Sequence, residues 1–172
     1  MKEFSEMTKA ELQDYLDFLL RQYQIVDAIW FLVVEDKYGF DEAFDLNQEA
    51  WAKINSIIAK EVRKRFHVKG RGISAVIEVW SYFPWSHIFK YRVEQTKDKA
   101  VLRILKCPPQ EARLRQGKEE LPCRPREALV RAKERWSNFA KAIDEGIKVR
   151  CIRAPPDPHP SNIWCEWEFS LK

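Results

Sequence analysis

The sequence predicts a single α+β domain of 172 residues, helical over residues 1–84 and sheet-rich over residues 85–172. The apolar residues recur with a helical period in the first half, and that period changes to two after Pro84. Helices and strands are therefore segregated along the chain, which favours an antiparallel sheet. We expect an N-terminal helical hairpin and a short helix, then a four-stranded antiparallel sheet with a helix between its second and third strands.

The first helix has signals at both of its ends. Thr8 and Glu11 have the spacing of a capping box, and Gly39 suits a helix that ends near Tyr38. Between them one apolar stripe repeats at intervals of four and three residues. Packing on a second helix explains this stripe, and dimerisation through it is the alternative. Its members are Leu12, Leu16, Leu19, Tyr23, Val26, Trp30 and Val33.

A second long helix should follow, with Asp41 as its cap and its end near Phe66. Its inward residues would be Trp51, Ile54, Ile58 and Val62. Residues 73–83 predict a third, shorter helix that Pro84 stops. The later elements are strands over 89–94 and 100–107, a short helical or irregular segment over 110–117, a helix from Pro125 to about Ile143, and strands over 147–154 and 163–171.

Composition and charge narrow the classes of function. The net charge of +4 gives little long-range attraction for nucleic acid, and the basic cluster after Lys60 is explained by the preference of cations for a helix end. The first residues do not resemble a signal peptide, and the apolar run 25–34 is about half the length of a membrane span. We expect a cytoplasmic protein without nucleic-acid or membrane partners, whose thiols stay reduced.

The four cysteines, at positions 107, 123, 151 and 165, form no CxxC pair. If the last two strands form a hairpin symmetric about Pro158, Cys151 lies opposite Cys165 and both face inward. Cys107 ends a strand and Cys123 precedes a helix, so both can lie at the rim of that face. Four thiolates suit tetrahedral zinc. Simple packing of small buried residues, or a disulfide between Cys151 and Cys165, remains an alternative.

Three other features are candidates for binding or chemistry. The proline-rich loop 155–160 presents Asp157 and His159, of which the histidine is a natural base or metal ligand. A rigid loop without function is the alternative. Glu111 and Arg113 can bind a polar ligand or form a surface ion pair. The seven tryptophans, Trp167 on the inward face among them, fit either a core or an aromatic-lined pocket.

Several segments resemble an uncharacterised family of small bacterial and archaeal cytosolic proteins. They are Cys107-Pro-Pro-Gln-Glu-Ala-Arg-Leu-Arg, Pro122-Cys123, Ile147-Lys-Val-Arg-Cys151, Pro155-Pro-Asp-Pro-His-Pro160 and Trp164-Cys165-Glu-Trp-Glu-Phe. The resemblance covers nearly the whole chain. Some members of that family carry names taken from L-2-amino-thiazoline-4-carboxylate hydrolase, but the resemblance brings no established activity.

More distantly, the second half is similar to the 4-vinyl-reductase-type ligand-binding domain. That domain has one cysteine before a helix and one on each strand of a terminal hairpin, positions that correspond to Cys123, Cys151 and Cys165. Its zinc-binding members have a glutamate where this chain has Lys148. The fourth ligand would then be Cys107, Asp157 or His159, or the metal is absent. The resemblance implies a pocket for a small, partly aromatic ligand.

Three hypotheses for function follow. The leading one is a small-molecule-binding domain in which Cys107, Cys123, Cys151 and Cys165 hold zinc, with Asp157 and His159 near the mouth of the pocket. The second is a hydrolase of a small cyclic C–N or C–S compound, with Cys123 or a metal-bound water as nucleophile and His159 as base. The third is an interaction protein that forms a homodimer through the first helix.

Overall fold

The computed structural model describes residues 3–123 and 134–171, and the chain divides into two compact units, Met1–Ala43 and Phe44–Lys172. In the described residues the protein has six α-helices and one four-stranded antiparallel sheet. The predicted α+β class is confirmed, whereas the single-domain organisation stays a prediction. None of the helices in these residues combines the length and the apolar character needed to cross a membrane.

The first unit contains a 3-10 turn, Phe4–Glu6, and helix α1, Lys9–Tyr38. The predicted capping box is present, because the Glu11 N–H donates to Thr8 Oγ1 at 3.3 Å and the Thr8 N–H donates to Glu11 Oε2 at 2.8 Å. Gly39 ends the helix with a positive φ of 86°, a conformation that glycine adopts without steric cost. Both predicted ends of α1 are therefore confirmed.

The apolar stripe of α1 is exposed, although we expected packing to cover it. Its six aliphatic and tryptophan members keep between 36% and 69% of their surface accessible. Phe31, the buried residue of α1, lies off the stripe. A heptad pattern shows that apolar residues share one face, and it does not show what covers that face. The six are Leu12, Leu16, Leu19, Val26, Trp30 and Val33.

Three further helices precede the sheet: α2 at Phe40–Arg65, α3 at Gly72–Ser81 and α4 at Pro84–Ile88. Asp41 lies in the first turn of α2 and so does not act as its cap. Of the predicted inward residues of α2, Trp51 and Val62 are buried. Helix α3 corresponds to the predicted third helix, which ends before Pro84 as expected. Pro84 then begins α4, a short helix that was not predicted, in a first turn where its missing N–H is of no consequence.

The sheet has the strand order β1-β2-β4-β3. Its strands are Lys90–Gln95, Lys99–Lys106, Ile147–Arg153 and Cys165–Leu171 in chain order. Two helices, α5 at Pro108–Arg115 and α6 at Glu134–Lys141, separate β2 from β3, where one was expected. The part of the predicted helix over 125–133 lies outside the described residues. Helix α3 packs against β2 and β4, and α6 packs against β3.

The core of the second unit lies between these helices and one face of the sheet. The side chains on this inner face are buried, as the alternation along the strands predicted. The ring of Trp136 on α6 lies 5.8 Å from the rings of both Trp167 and Phe169 on β4, and 5.2 Å from Trp80 on α3. The inner-face residues of β2, β3 and β4 include Ala100, Leu102, Ile104, Ile147, Val149, Cys151, Cys165, Trp167 and Phe169, of which Val149 and Cys151 are half-buried.

Candidate thiol site

The register of the last two strands differs from the predicted one. Cys151 lies opposite Trp167, and Cys165 lies opposite Ile104 of β2. The prediction that Cys151 pairs with Cys165 was therefore wrong. The hairpin is centred one residue beyond Pro158, and an irregularity between Cys151 and Arg153 shifts the pairing further. Because Cys165 and Trp167 are two residues apart, Cys151 and Cys165 still share the inner face.

Three thiols come close enough to affect one another, and we call them the thiol site: Cys107, Cys123 and Cys165. Cys107 follows β2 and is the N-cap residue of α5. Cys165 begins β4, which is hydrogen-bonded to β2. The end of β2 and the start of β4 are therefore neighbours at the same end of the two central strands. The prediction that Cys107 and Cys123 lie at the rim of the inner face is consistent with this arrangement.

Two sets of hydrogen bonds hold the backbone around Cys123 in place. Its N–H donates to the carbonyl of Pro155 at 2.9 Å, so the loop before β4 holds the segment after α5. Gln110 of α5 donates from Nε2 to the Leu121 carbonyl at 2.7 Å and accepts from the Leu121 N–H at 2.8 Å. The same Nε2 lies 3.3 Å from Cys123 Sγ. Gln110 is almost completely buried, and sequence analysis did not identify it.

Burial determines the acidity of the three thiols. Burial, and after it the nearby Cys123 thiol, raise the pKa of the Cys107 thiol to about 12. The pKa values of Cys123 and Cys165 are also raised, again mainly by burial. Cys107 and Cys123 keep some exposure as whole residues, but many protein atoms surround each sulfur. All three are therefore neutral thiols near pH 7 in the folded protein.

Arg135 is the cation that acts on all three thiols. Its charge lowers the pKa of Cys107, Cys123 and Cys165, and so opposes the effect of burial. It lies in α6, where its carbonyl accepts a hydrogen bond from Asn55 at 3.4 Å. Nothing in the residue pattern connects Arg135 with the cysteines, because it lies between Cys123 and Cys151 in a separate element. Only the packing of α6 brings its charge to the site.

The donor types of the thiol site fit zinc, since thiolate is a preferred zinc ligand. Their positions do not form a complete site: no group of three or more His, Cys, Asp or Glu side chains is arranged to hold a metal ion within residues 3–123 and 134–171. Cys151, the fourth expected ligand, is offset from Cys165 by the register described above. Zinc binding would require the sulfurs to move closer together.

His159 of the proline-rich loop is largely enclosed, with 13% of its side chain exposed. Its ring lies 5.3 Å from the ring of Trp164, and Nε2 lies 3.4 Å from the Glu120 carboxylate. The charge of Glu120 in turn raises the pKa of Cys123. Glu120 therefore connects His159 to the thiol site, and the histidine side chain does not face solvent.

The other predicted site residues have defined positions. The Asp157 N–H donates to the Ala154 carbonyl at 3.0 Å within the turn that follows β3. Glu111 lies 4.0 Å from the cationic groups of Lys106 and Arg115, as in the surface ion pair considered above. Arg113 is buried, and its Nε donates to the Glu119 carbonyl at 3.0 Å, which fixes the turn after α5.

Trp167 connects the thiol site to the aromatic core. Its indole N–H lies near enough to Cys165 to lower the pKa of that thiol. This N–H nevertheless has no hydrogen bond of regular geometry to any described residue. The same is true of the indole N–H groups of Trp80 and Trp136. We call these three residues the tryptophan cluster. A buried donor without an acceptor is unfavourable, so the cluster suits a polar acceptor that the described chain does not supply.

Comparison with known proteins gives a match to a protein family. The model of a family described as a family of unknown function, DUF6125, matches residues 5–171. No curated protein and no solved structure matches the chain.

Proposed function

Since the chain belongs to DUF6125, a family of unknown function, we propose its function from the thiol site: it binds a small molecule next to a zinc ion held by cysteines. The observation that carries the proposal is the convergence of Cys107, Cys123 and Cys165 from three separate segments. Buried thiols with raised pKa values are unreactive alone, and a bound cation would favour their thiolate forms.

The tryptophan cluster supports the small-molecule part of the proposal. It presents three buried indole N–H donors that have no acceptor among the described residues. An aromatic wall with a few polar groups is the usual lining of a small-molecule site. A flat ligand that carries an acceptor atom would stack on the rings and accept from Trp167, beside Cys165. Glu111 remains a candidate for a polar end of the ligand, whereas Arg113 already donates to the chain.

Cys107, Cys123 and Cys165 would provide three zinc ligands. The fourth would be Cys151, as the sequence suggests, or His159, which lies near Cys123 through Glu120. When bound, zinc would supply a positive charge that stabilises thiolates and a polar ligand group. Gln110 would keep the segment with Cys123 in place, because its amide holds Leu121 by two hydrogen bonds.

Metal analysis and thiol titration of protein purified without chelator test this proposal. We expect about one zinc per chain and thiols that react only after unfolding, as in structural zinc sites. Cys123→Ser should lose most of the zinc. Cys151→Ser distinguishes the fourth ligand, since zinc retained in this variant would favour His159. The proposal fails if all four thiols of the folded protein react freely and added zinc does not bind.

A hydrolase of a small cyclic C–N or C–S compound is the second candidate. The specific observation in its favour is the His159–Glu120 pair, because a carboxylate that orients a histidine is a common arrangement for a general base. The raised pKa of Cys123 weighs against this thiol as a nucleophile. We expect an amino-thiazoline carboxylate to be opened by the wild type and not by His159→Ala. Equal turnover by both proteins would remove His159 from the mechanism.

We further propose that the protein works in the cytoplasm, where thiols stay reduced. The homodimer expected from the sequence is a separate proposal, because it rests on α1 and not on the thiol site.

A further inference from the structure

The first unit by itself contains a short turn, helix α1 and the first turn of α2. A single helix cannot bury its own apolar face, and most helical stability in proteins comes from packing of that face. The stripe on α1 is nevertheless accessible in the described chain, as shown above. Ile29, which flanks the stripe, is 54% exposed as well. A surface of this kind indicates an interaction site.

The size of the exposed surface suits a stable dimer. Seven large apolar residues on this face of α1 are each between about one third and two thirds exposed. If each presents roughly 200 Å² when fully exposed, together they present on the order of 750 Å². A specific protein–protein interface buries about 800 Å² per partner. Helix α1 has 30 residues and a length of about 45 Å, enough to bury such an area along a second helix.

The charges of α1 fit a second copy of the same helix. In a heptad scheme, the positions that flank the stripe from Gln13 to Val34 contain one charged residue, Asp27. The other charges between these residues, at Asp14, Asp17 and Arg21, lie away from the seam. Two copies can therefore approach without rows of like charge facing each other, which a self-complementary interface requires.

We propose that α1 pairs with α1 of a second copy of the chain, antiparallel and around a two-fold axis near Tyr23. In this register Leu12 meets Val33 of the second copy, Leu19 meets Val26, and Leu16 meets Trp30. Each layer then combines side chains of complementary size, which favours close packing. A parallel pair would instead oppose Trp30 to Trp30 and valine to valine. The antiparallel pair also aligns the helix dipoles in opposite directions.

A charge-exchange experiment tests both the dimer and its direction. Sedimentation equilibrium of the full chain should give twice the chain mass for the wild type. Leu19→Lys and Val26→Glu should each raise the dissociation constant more than about 100-fold, because each places charges in the apolar seam. The double variant Leu19→Lys/Val26→Glu should dimerise again, since each lysine then faces a glutamate of the second copy.

Ile57→Lys on α2 is the matched control, because Ile57 is 61% exposed and lies outside the stripe, and this variant should remain a dimer. Circular dichroism would show that every variant is folded. A wild type that is monomeric at all concentrations overturns the proposal, as does a dimer that both single variants leave intact. A double variant that stays monomeric overturns the antiparallel register. A monomer that instead sediments with anionic lipid vesicles would identify a lipid surface as the occupant of this face.

Discussion

The two faces of strand β4 are both buried, but they are buried in different ways. On the inner face, Phe169 is 1% exposed and packs against the rings of Trp136 and Phe139. Its neighbour Glu168 points to the outer face and is only 9% exposed. There the covering groups are cationic side chains: Arg150 donates to Glu168 Oε1 at 3.0 Å, and Lys99 forms an ion pair with Oε2. Low exposure alone therefore does not identify a hydrophobic core.

The same arrangement continues along the strand. Glu166 on the outer face contacts Arg103 at 2.6 Å and Arg153 at 2.8 Å, and Arg103 also contacts Glu94 of β1. These ion pairs connect the four strands across the outer face. Opposite charges on neighbouring strands stabilise a sheet modestly, and they fix which residues face each other.

The two faces shift ionisation in opposite directions. On the inner face, burial raises the pKa of the Cys165 thiol, so its neutral form is favoured. On the outer face, Lys99 and then Arg150 lower the pKa of the Glu168 carboxyl, so its charged form is favoured. Cys165 and Glu168 are three positions apart, yet the first favours its neutral form and the second its charged form. The thiol site is on the face where a charge is costly unless a cation compensates it, and this is the physical basis for proposing zinc there.

The largest expected effect is on the inner face. Phe169→Ala should lower the free energy of unfolding by about 3–5 kcal/mol, because it removes a buried ring and leaves a cavity between β4 and α6. Urea denaturation monitored by tryptophan fluorescence measures this change, since Trp136 and Trp167 report on the same core.

Phe169→Leu is the control for the loss of the ring alone. It should lower the free energy of unfolding clearly less than Phe169→Ala, because leucine fills more of the space left by the ring. If Phe169→Ala costs under about 1 kcal/mol, the inner face is not the packed core described here, and the contrast between the two faces disappears.

The sequence predicted the inner face correctly because alternation along a strand needs no knowledge of its neighbours. The capping box at Thr8 and the end of α1 at Gly39 could also be predicted, since both depend on local geometry. The register of β3 with β4 could not be predicted, because the residue pattern shows neither the centre of the hairpin nor the irregularity between Cys151 and Arg153. The expected pairing of Cys151 with Cys165 failed because the hairpin is centred one residue beyond Pro158.

Two other features were beyond sequence reasoning. Alternation along β4 places Glu166 and Glu168 on the outer face, where exposure to solvent would be expected. Their cationic partners come from β2 and β3, and only the sheet topology shows that these strands flank β4. Arg135 and Gln110 reach the thiol site through the packing of α6 and through a loop contact, which no spacing in the sequence indicates. Periodicity thus identifies a face, whereas its covering depends on contacts between distant segments.

The smallest expected effect is on the outer face and depends on pH. The folded-state pKa of Glu168 lies below its usual value, so the ion pairs stabilise the fold fully above the pKa of an unfolded glutamate, about 4.3. This contribution is lost as the pH falls through the folded-state value. Lys99 and Arg150 are 51% and 65% exposed, so solvent screens their charges. Glu168→Gln should therefore cost only about 0.5–1 kcal/mol at pH 7.

Urea denaturation of the wild type and Glu168→Gln at pH 7, 5 and 4 tests this expectation, and the difference between the two proteins should shrink toward the lowest pH. Asp144 also has a lowered pKa, through the N–H groups of Gly146 and Gly72, so both proteins should lose stability in acid for a shared reason. Glu145→Gln, at an exposed position before β3, is the matched control and should follow the wild type at every pH. A difference between wild type and Glu168→Gln that is constant from pH 7 to 4 would mean that the charge of Glu168 is not what holds this face together.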